Sequence, residues 1–249
     1  MSAPLFSGQV AVVIGGTGGV GTAICRSLAE AGCHVVVGYR RDANAASSLA
    51  KSLPGTRHAA LWADVTDSAS LGALAKALGT QYGAVDILVN CAGTTRFVPH
   101  SDLDALDDAL IDEIFRTNWR GPFATIRALR PLLDSGNGGL VINISSIAAV
   151  SGIGSNVAYC ASKAALNAMT VSLGRSLSPK IRVISVSPGL VDTEFVKGLD
   201  PKWREEQVNR TPLKRLASPE DIGRAVVATA MLNCSTGTII TVDGGRLLG

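Results

Sequence analysis

The chain has 249 residues, 47% of them hydrophobic and 17% charged, with 27 glycines and a formal net charge of +3. That balance excludes a disordered or coiled-coil chain, and so small a charge gives no reason to expect nucleic acid as a partner. No apolar run approaches the ~20 residues a membrane span needs, and the first six residues lack the charged and apolar regions of a signal peptide, so a cytoplasmic protein is expected.

In chain order, the first apolar run, Val10 to Ile14, predicts a strand, and a helix follows over Gly19 to Ala31. Between them lies Gly15-Gly16-Thr17-Gly18-Gly19-Val20-Gly21. Glycines remove Cβ atoms so that backbone N–H groups and a helix N-terminus can approach a pyrophosphate. Two registers fit: Gly16, Gly18 and Gly21 match the ordinary dinucleotide fingerprint, and Gly15, Gly19 and Gly21 match a GxxxGxG spacing. A second strand is predicted from His34 to Val37. After it comes Gly38-Tyr39-Arg40-Arg41, with no carboxylate to grip a ribose 2′-hydroxyl and two guanidinium groups that suit a 2′-phosphate. This predicts NADP(H) rather than NAD(H), with Arg40 the better candidate and Arg41 sharing the phosphate or stacking on adenine. Asp42 is the alternative, should the strand end bring it toward the ribose.

The pattern continues as a helix over Asn44 to Leu53, a strand over Ala59 to Trp62, a helix over Ser68 to Tyr82 and a strand over Val85 to Val89. Leu103 to Arg130 reads as one helical stretch broken near Gly121-Pro122. A fifth strand, Leu140 to Ile144, ends at Ser145-Ser146. The next helix, Val157 to Leu177, carries Tyr159 and Lys163 four residues apart, on one face and ~6 Å apart in rise. An ammonium there would favour the tyrosinate and make the phenol a usable general acid or base. Val183 to Val186 is a sixth strand. Gly189 to Leu216 stands outside the alternation and is expected to be a mobile flap over a site. A helix over Pro219 to Leu232, started by Ser218 as N-cap and Pro219 at N1, precedes the last strand, Thr238 to Val242. Strict alternation predicts an α/β fold: one Rossmann-type domain over residues 1–249, a doubly wound sheet of seven parallel strands with helices on both faces. Ligands of such sheets bind at the carboxyl ends of the strands. Five cysteines without a Cys-x-x-Cys pair, and the scattered His34, His58 and His100, offer no metal site and no disulfide framework.

Together these residues resemble the short-chain dehydrogenase/reductase family over essentially the whole length. The resemblance rests on Gly15-x-x-x-Gly19-x-Gly21, Asp64-Val65, Asn90-Cys91-Ala92-Gly93, Asn118, Ser146, Tyr159-x-x-x-Lys163, Pro188-Gly189-Leu190-Val191-Asp192-Thr193 and Val242-Asp243-Gly244-Gly245. It favours the Gly15, Gly19, Gly21 register, and it picks Ser146 because the family's serine lies thirteen residues before its tyrosine. It implies that Tyr159 exchanges the proton of the carbonyl or alcohol oxygen, and that Lys163 lowers the pKa of Tyr159 while binding the nicotinamide ribose. Ser146 would hold the substrate oxygen and Asn118 would anchor a relay water. The resemblance further implies a cofactor bed of Gly15, Thr17, Gly18, Gly19, Val20, Gly21, Arg40, Arg41, Asp64, Val65, Asn90, Ala92, Gly93, Pro188, Gly189, Val191 and Thr193.

Two positions depart from the family. Ile14 stands where Thr is usual, implying a looser glycine turn, and Cys91 stands where a second Asn is common. The closing segment resembles the subgroup of 3-oxoacyl-carrier-protein reductases, glucose dehydrogenases and many ketoreductases, typically homotetramers, which implies a 3-oxoacyl thioester as substrate, with a sugar, steroid or simple alcohol as the alternative. An acyl carrier protein would be an acidic partner for basic residues, here Arg175 and Lys180, with Lys202, Arg204, Arg210, Lys214 and Arg215 in the flap. Leu103, Leu106, Leu110 and Ile114 follow helical spacing, mostly for the core, and Ala161, Ala164, Ala165 and Ala168 form a small face suited to a dimer. The competing class is a non-catalytic NADP(H)-binding protein, against which the Asn, Ser, Tyr and Lys set argues.

Overall fold

The computed structural model describes residues 5–136, 138–198 and 200–248, leaving the side chain of Phe195 aside. Its strands are β1 (Val10–Ile14), β2 (His34–Tyr39), β3 (Ala59–Trp62), β4 (Ile87–Asn90), β5 (Gly139–Ile144), β6 (Ile181–Pro188) and β7 (Ile239–Val242). All pairs are parallel, in the order β3-β2-β1-β4-β5-β6-β7. The helices are α1 (Gly19–Glu30), α2 (Ala43–Ser52), α3 (Ser68–Tyr82), α4 (Asp108–Phe115), α5 (Gly121–Asp134), α6 (Ala148–Ser151), α7 (Val157–Ser176), α8 (Glu194–Lys197), α9 (Pro201–Asn209) and α10 (Pro219–Ala230).

A parallel sheet covered on both faces must be apolar on both, and β1 shows it. Ala11 and Val13 pack into one core layer with Ile24, Leu28, Ile222 and Val226 of α1 and α10. Val12 and Ile14 pack into the other with Leu71, Leu129 and Leu166 of α3, α5 and α7. The order of connection reverses between β1 and β4, which opens a crevice at their carboxyl ends.

The predicted single helical stretch is three elements. Leu103 lies before α4 and is 74% exposed, whereas Leu110 and Ile114 are buried against Ala158. Nor is there a break at Gly121-Pro122. The departure from α geometry is a π-helical turn at Arg116–Arg120, after which Pro122 sits in the first turn of α5, where its missing N–H leaves no gap. The flap stretch 189–216 carries α8 and α9 rather than loop alone.

The helix α10, which packs against α1 behind the glycine turn, is held at its start by a reciprocal capping box. Ser218 Oγ accepts from Asp221 N at 3.1 Å, and the Asp221 carboxylate accepts from Ser218 N at 2.9 Å. Arg215 and Arg224 also donate to that carboxylate, and these partners hold it well below the usual carboxylate range. A depressed pKa means stability that is present above the unfolded value of about 4 and lost as the pH falls below it. Asp221→Asn should therefore lower stability by about 1 kcal/mol at pH 7, a difference that shrinks below about pH 4. Urea melts of both proteins from pH 7 to 3 check this, and a gap that is constant with pH contradicts it.

Candidate active site

The end of β1 turns through Gly15 at φ +81°, where an added Cβ would lie 2.7 Å from Ala92 N. A Cβ on Gly21 would run into the Gly15 carbonyl oxygen and lie 2.9 Å from Gly16 Cα. Gly16 faces inward against Val37 and Cys25, while Gly18 and Gly19 are exposed, with Val20 and Thr17 half-buried beside them. Gly18 is the N-cap of α1 and provides no side-chain cap, so first-turn N–H groups stay open to a ligand. These are the features a pyrophosphate requires, and the turn fits a dinucleotide.

The expected loosening at Ile14 is not found. Gly15 N and Gly16 N both donate to Gly38 O, at 3.0 and 2.9 Å, and Thr22 Oγ1 donates to Gly16 O at 3.3 Å. These bonds anchor the turn through the backbone, and Ile14 itself is buried in the core.

At the end of β2, Arg40 and Arg41 are exposed beyond Tyr39. Asp42 is the N-cap of α2, its Oδ1 accepting from Ala45 N at 2.8 Å. Asp64 Oδ1 accepts from Thr66 N and Thr66 Oγ1 at 2.8 and 2.7 Å. Burial opposes its charge, but those bonds and the guanidinium groups of Arg40 and Arg116 hold its carboxyl below the ordinary value. Val65 faces inward, packed where Gly121 leaves room for it.

Asn90 differs from its expected part. Its side chain turns into the sheet, donating to Asn143 Oδ1 at 2.9 Å. Asn143 in turn donates to Thr170 Oγ1 at 2.9 Å, and Thr170 meets Ser185 Oγ at 2.8 Å. Through its Nδ2 the buried Asn90 amide ties β4, β5, α7 and β6 together, while its buried Oδ1 has no partner among the described residues. Cys91 is half-buried, with its thiol pushed up to about 11 by burial. Ala92 touches Gly15, and a Cβ on Gly93 would lie 3.4 Å from Asn118 Oδ1 and 3.9 Å from Lys163 Nζ.

Asn118 sits within the π-helical turn, fully buried, rather than capping a helix. Its Oδ1 accepts from Thr94 N at 2.8 Å, and its Nδ2 donates to Thr94 O at 3.0 Å and to Ser162 Oγ at 3.2 Å. Ser145 is buried and donates to Lys163 O at 3.4 Å, leaving Ser146 as the serine at the surface of the crevice. Ser146 Oγ accepts from Ala148 N at 3.2 Å and lies close enough to the Tyr159 phenol to lower its pKa. Lys163 Nζ donates to Ile144 O at 2.9 Å and lies 5.8 Å from the Tyr159 ring centroid.

The electrostatics correct one expectation. Burial raises Tyr159 above the ordinary phenol value, and the nearby Ser146 hydroxyl offsets only part of that rise. Lys163 is itself lowered to about 8 by burial, with Cys91 opposing. Neutral phenol is therefore the resident form of Tyr159 near neutral pH, which suits it to giving a proton.

On the far side of the crevice, Pro188 O accepts from Ile147 N, and Gly189 N donates to Val242 O. Val191 bridges to Ala217. Thr193 caps α8 and places its Cγ2 3.5 Å from where a Gly19 side chain would begin, so this segment lies over the glycine turn. The flap bases are mostly engaged within the chain: Arg204 grips Asp192 through two bonds of 3.1 and 2.7 Å, Arg215 pairs with Asp221, Arg210 with Glu206, and Lys214 donates to Asn209 O. A cleft of about 510 Å³ between α8 and α9, lined by Lys197, Pro201, Arg204, Glu205 and Val208, does not include Ser146 or Tyr159. Arg175 and Lys180 stand at the opposite end of α7, Arg175 about 24 Å of helix rise from Tyr159.

Sequence reasoning missed Asn156, whose Oδ1 caps α7 by accepting from Tyr159 N at 2.7 Å. An Asn three residues before Tyr159 was the available signal. It also missed the Asp192–Arg204 pair, whose partners are twelve residues apart with no helical spacing to join them.

Comparison with known proteins adds the following. A family profile described as Enoyl-(Acyl carrier protein) reductase matches residues 15–246. The chain is 36% identical to cis-4-hydroxycyclohexanecarboxylate dehydrogenase of Sinomonas cyclohexanicum, over 96% of this chain and 97% of that one. It is 30% identical to 3-oxoacyl-(acyl-carrier-protein) reductase FabG of Thermotoga maritima, over 98% and 99%. Among solved structures, the Pseudomonas aeruginosa RhlG/NADP active-site complex superposes with a TM-score of 0.90 at 33% identity, covering 98% of this chain and 99% of that one.

Proposed function

Since the chain belongs to the short-chain dehydrogenase/reductase family, we propose that it interconverts a ketone and a secondary alcohol with NADP(H), with a 3-oxoacyl thioester as its leading substrate. The observation that carries this reading is Lys163 Nζ 5.8 Å from the Tyr159 ring, with Ser146 close enough to lower the phenol's pKa, beside the Ala92-Gly93 segment that touches the glycine turn. Bound NADP(H) would supply or accept the hydride.

Tyr159 gives its phenolic proton to the carbonyl oxygen in reduction and takes it back in oxidation. Ser146 donates to that oxygen as charge develops, a one-donor form of oxyanion stabilisation. Lys163 binds the nicotinamide ribose, and its ammonium stabilises the tyrosinate left after proton transfer. Asn118 holds Thr94 and, in this reading, anchors the water that returns a proton to Lys163. The turn from Gly15 to Gly21 holds the pyrophosphate, with Thr17, Gly18, Gly19 and Val20 at the phosphates. Arg40 and Arg41 receive the 2′-phosphate, Asp64 the adenine with Val65 packed behind it, and Ala92 and Gly93 the adenosine ribose. Asn90 serves that bed through the sheet behind it. Pro188, Gly189, Val191 and Thr193 face the carboxamide, and residues 189–216 form the flap over the substrate.

Supporting an assembly, Val157, Ala161, Ala164, Ala168 and Val171 form one exposed stripe along α7 at alternating spacings of four and three. A self-associating helix needs such a face, and a homotetramer is the proposed state. Five free cysteines support a cytoplasmic setting. The internal pairing of the flap bases, and the distance of Arg175 from Tyr159, favour a second reading. In it the substrate is a free small ketone or alicyclic alcohol rather than one carried on an acidic protein.

The test follows loss of reduced-nicotinamide absorbance on adding an acetoacetyl thioester, with NADPH and NADH in parallel. Oxidation of NADPH supports the thioester reading. Tight NADPH binding without oxidation sends the search to simple ketones and alicyclic alcohols. Arg40→Ala should weaken NADPH binding about tenfold and leave NADH unchanged, since one charge-assisted contact is removed. Equal loss for both nucleotides would sink the role given to Arg40.

A further inference from the structure

We infer that Asn156 is a positioning residue that locks the substrate-side segment 94–96 to the helix carrying Tyr159, an assignment that rests on Tyr159 acting as the proton donor. The side chain is fully buried, and its amide is used at both ends. Its Oδ1 accepts from Tyr159 N at 2.7 Å. Its Nδ2 donates to Arg96 O at 2.7 Å and to Thr95 Oγ1 at 3.2 Å, across about sixty residues of sequence.

A helix cap needs only the acceptor. The two donor bonds do something else. They fix the segment that follows Gly93, one and two residues beyond the point where Asn118 holds both Thr94 N and Thr94 O. Ser155 adds a bond of 2.6 Å between its Oγ and Thr95 Oγ1, and its carbonyl accepts from Val98 N at 2.8 Å. Two amides therefore bracket residues 94–96, and the wall of the crevice and the start of α7 form one body. The phenol is then held in a fixed place relative to the wall against which a substrate rests. Misplacement of reacting groups by about 1 Å can lower a rate ~100-fold, so this coupling bears on turnover rather than on fold alone.

An amide meets these demands because it combines an acceptor with a two-proton donor. Aspartate has the shape and the acceptor but no donor, and serine has a cap oxygen without the reach. Both are good N-caps. A merely structural cap thus predicts normal turnover in Asn156→Ser and Asn156→Asp. The positioning role predicts that both lose kcat tenfold or more, while the NADPH dissociation constant stays within twofold and Asn156→Ser stays folded with a lowered unfolding midpoint.

The experiment measures kcat and KM with an acetoacetyl thioester, NADPH affinity by fluorescence, and amide exchange of residues 94–98 by mass spectrometry, with Tyr159→Phe alongside. Exchange at 94–98 should rise about tenfold in both Asn156 variants, a readout that needs no substrate. Unchanged exchange there, or unchanged kcat in either variant, overturns the assignment. An active Tyr159→Phe overturns the proton-donor reading, and the assignment to Asn156 with it. Inactive Tyr159→Phe with active Asn156→Ser overturns the assignment to Asn156 alone.

Discussion

Tyr159→Phe should lower kcat by about 10²- to 10⁴-fold, the range for losing a general acid, with NADPH binding nearly unchanged. The substitution removes one oxygen, which lies beside Ser146 in a half-buried setting. Nothing in the fold of α7 depends on it, because the helix is capped through the Tyr159 backbone N–H and Asn156. The phenol's raised pKa also fixes the sign of the pH dependence. Reduction needs the protonated form, which burial favours, so reduction should hold through neutral pH and fall as the pH climbs toward the phenol's range. Oxidation needs the ionised form and should rise with pH over the same interval. Stopped-flow absorbance in both directions from pH 6 to 10 checks this. A Tyr159→Phe variant with wild-type kcat, or parallel pH profiles for the two directions, contradicts it.

Gly21→Ala should abolish measurable cofactor binding and lower stability by more than the ~1–3 kcal/mol of ordinary overpacking. Here the obstacle is backbone: the new methyl would meet the Gly15 carbonyl oxygen and the Gly16 Cα. Neither can swing aside as a side chain could, because Gly15 N and Gly16 N are both tied to Gly38 O. The turn must open, and the N–H groups at the start of α1 leave the arrangement that a pyrophosphate needs. Gly18→Ala is the control. The space around Gly18 holds only the Gly15 oxygen at 3.5 Å, so the methyl fits the protein and intrudes only where a ligand would lie. It should melt near wild type while binding NADPH more weakly. Calorimetric melts and fluorescence titrations of the pair separate the two effects, and a Gly21→Ala protein of normal stability would show that the turn adapts.

The seven strands and the winding of the sheet were legible because parallel strands are short, apolar on both faces and separated by helices with capping residues. The ends were less so. β2 runs on through Gly38 and Tyr39, and β6 through Ser187 and Pro188, since polar or ring residues at a strand end carry no periodic signal. Lys163 lies beside the Tyr159 ring on one face of α7, as their spacing suggested, and Gly93 stands close to both Asn118 and Lys163. What sequence could not show is direction. Asn90 is placed as expected along the chain yet points into the sheet, and Arg204, Arg210 and Arg215 of the flap find carboxylates within the chain. Both outcomes depend on neighbours distant in sequence. The pKa of Tyr159 was misjudged for a related reason: spacing gave the distance to Lys163 but not the burial that outweighs it.

The π-helical turn at Arg116–Arg120 has one further effect. One residue more than a regular helix would hold rotates everything after it by about 100°. Leu110 and Ile114 before the turn face Ala158 of α7, whereas Ala124, Ile126, Leu129 and Leu133 after it face the sheet. A single rod thus serves two partners lying in different directions, with Asn118 at the twist between them. Deletion of one residue there would bring the two apolar stripes into line, and no single neighbour could then cover both.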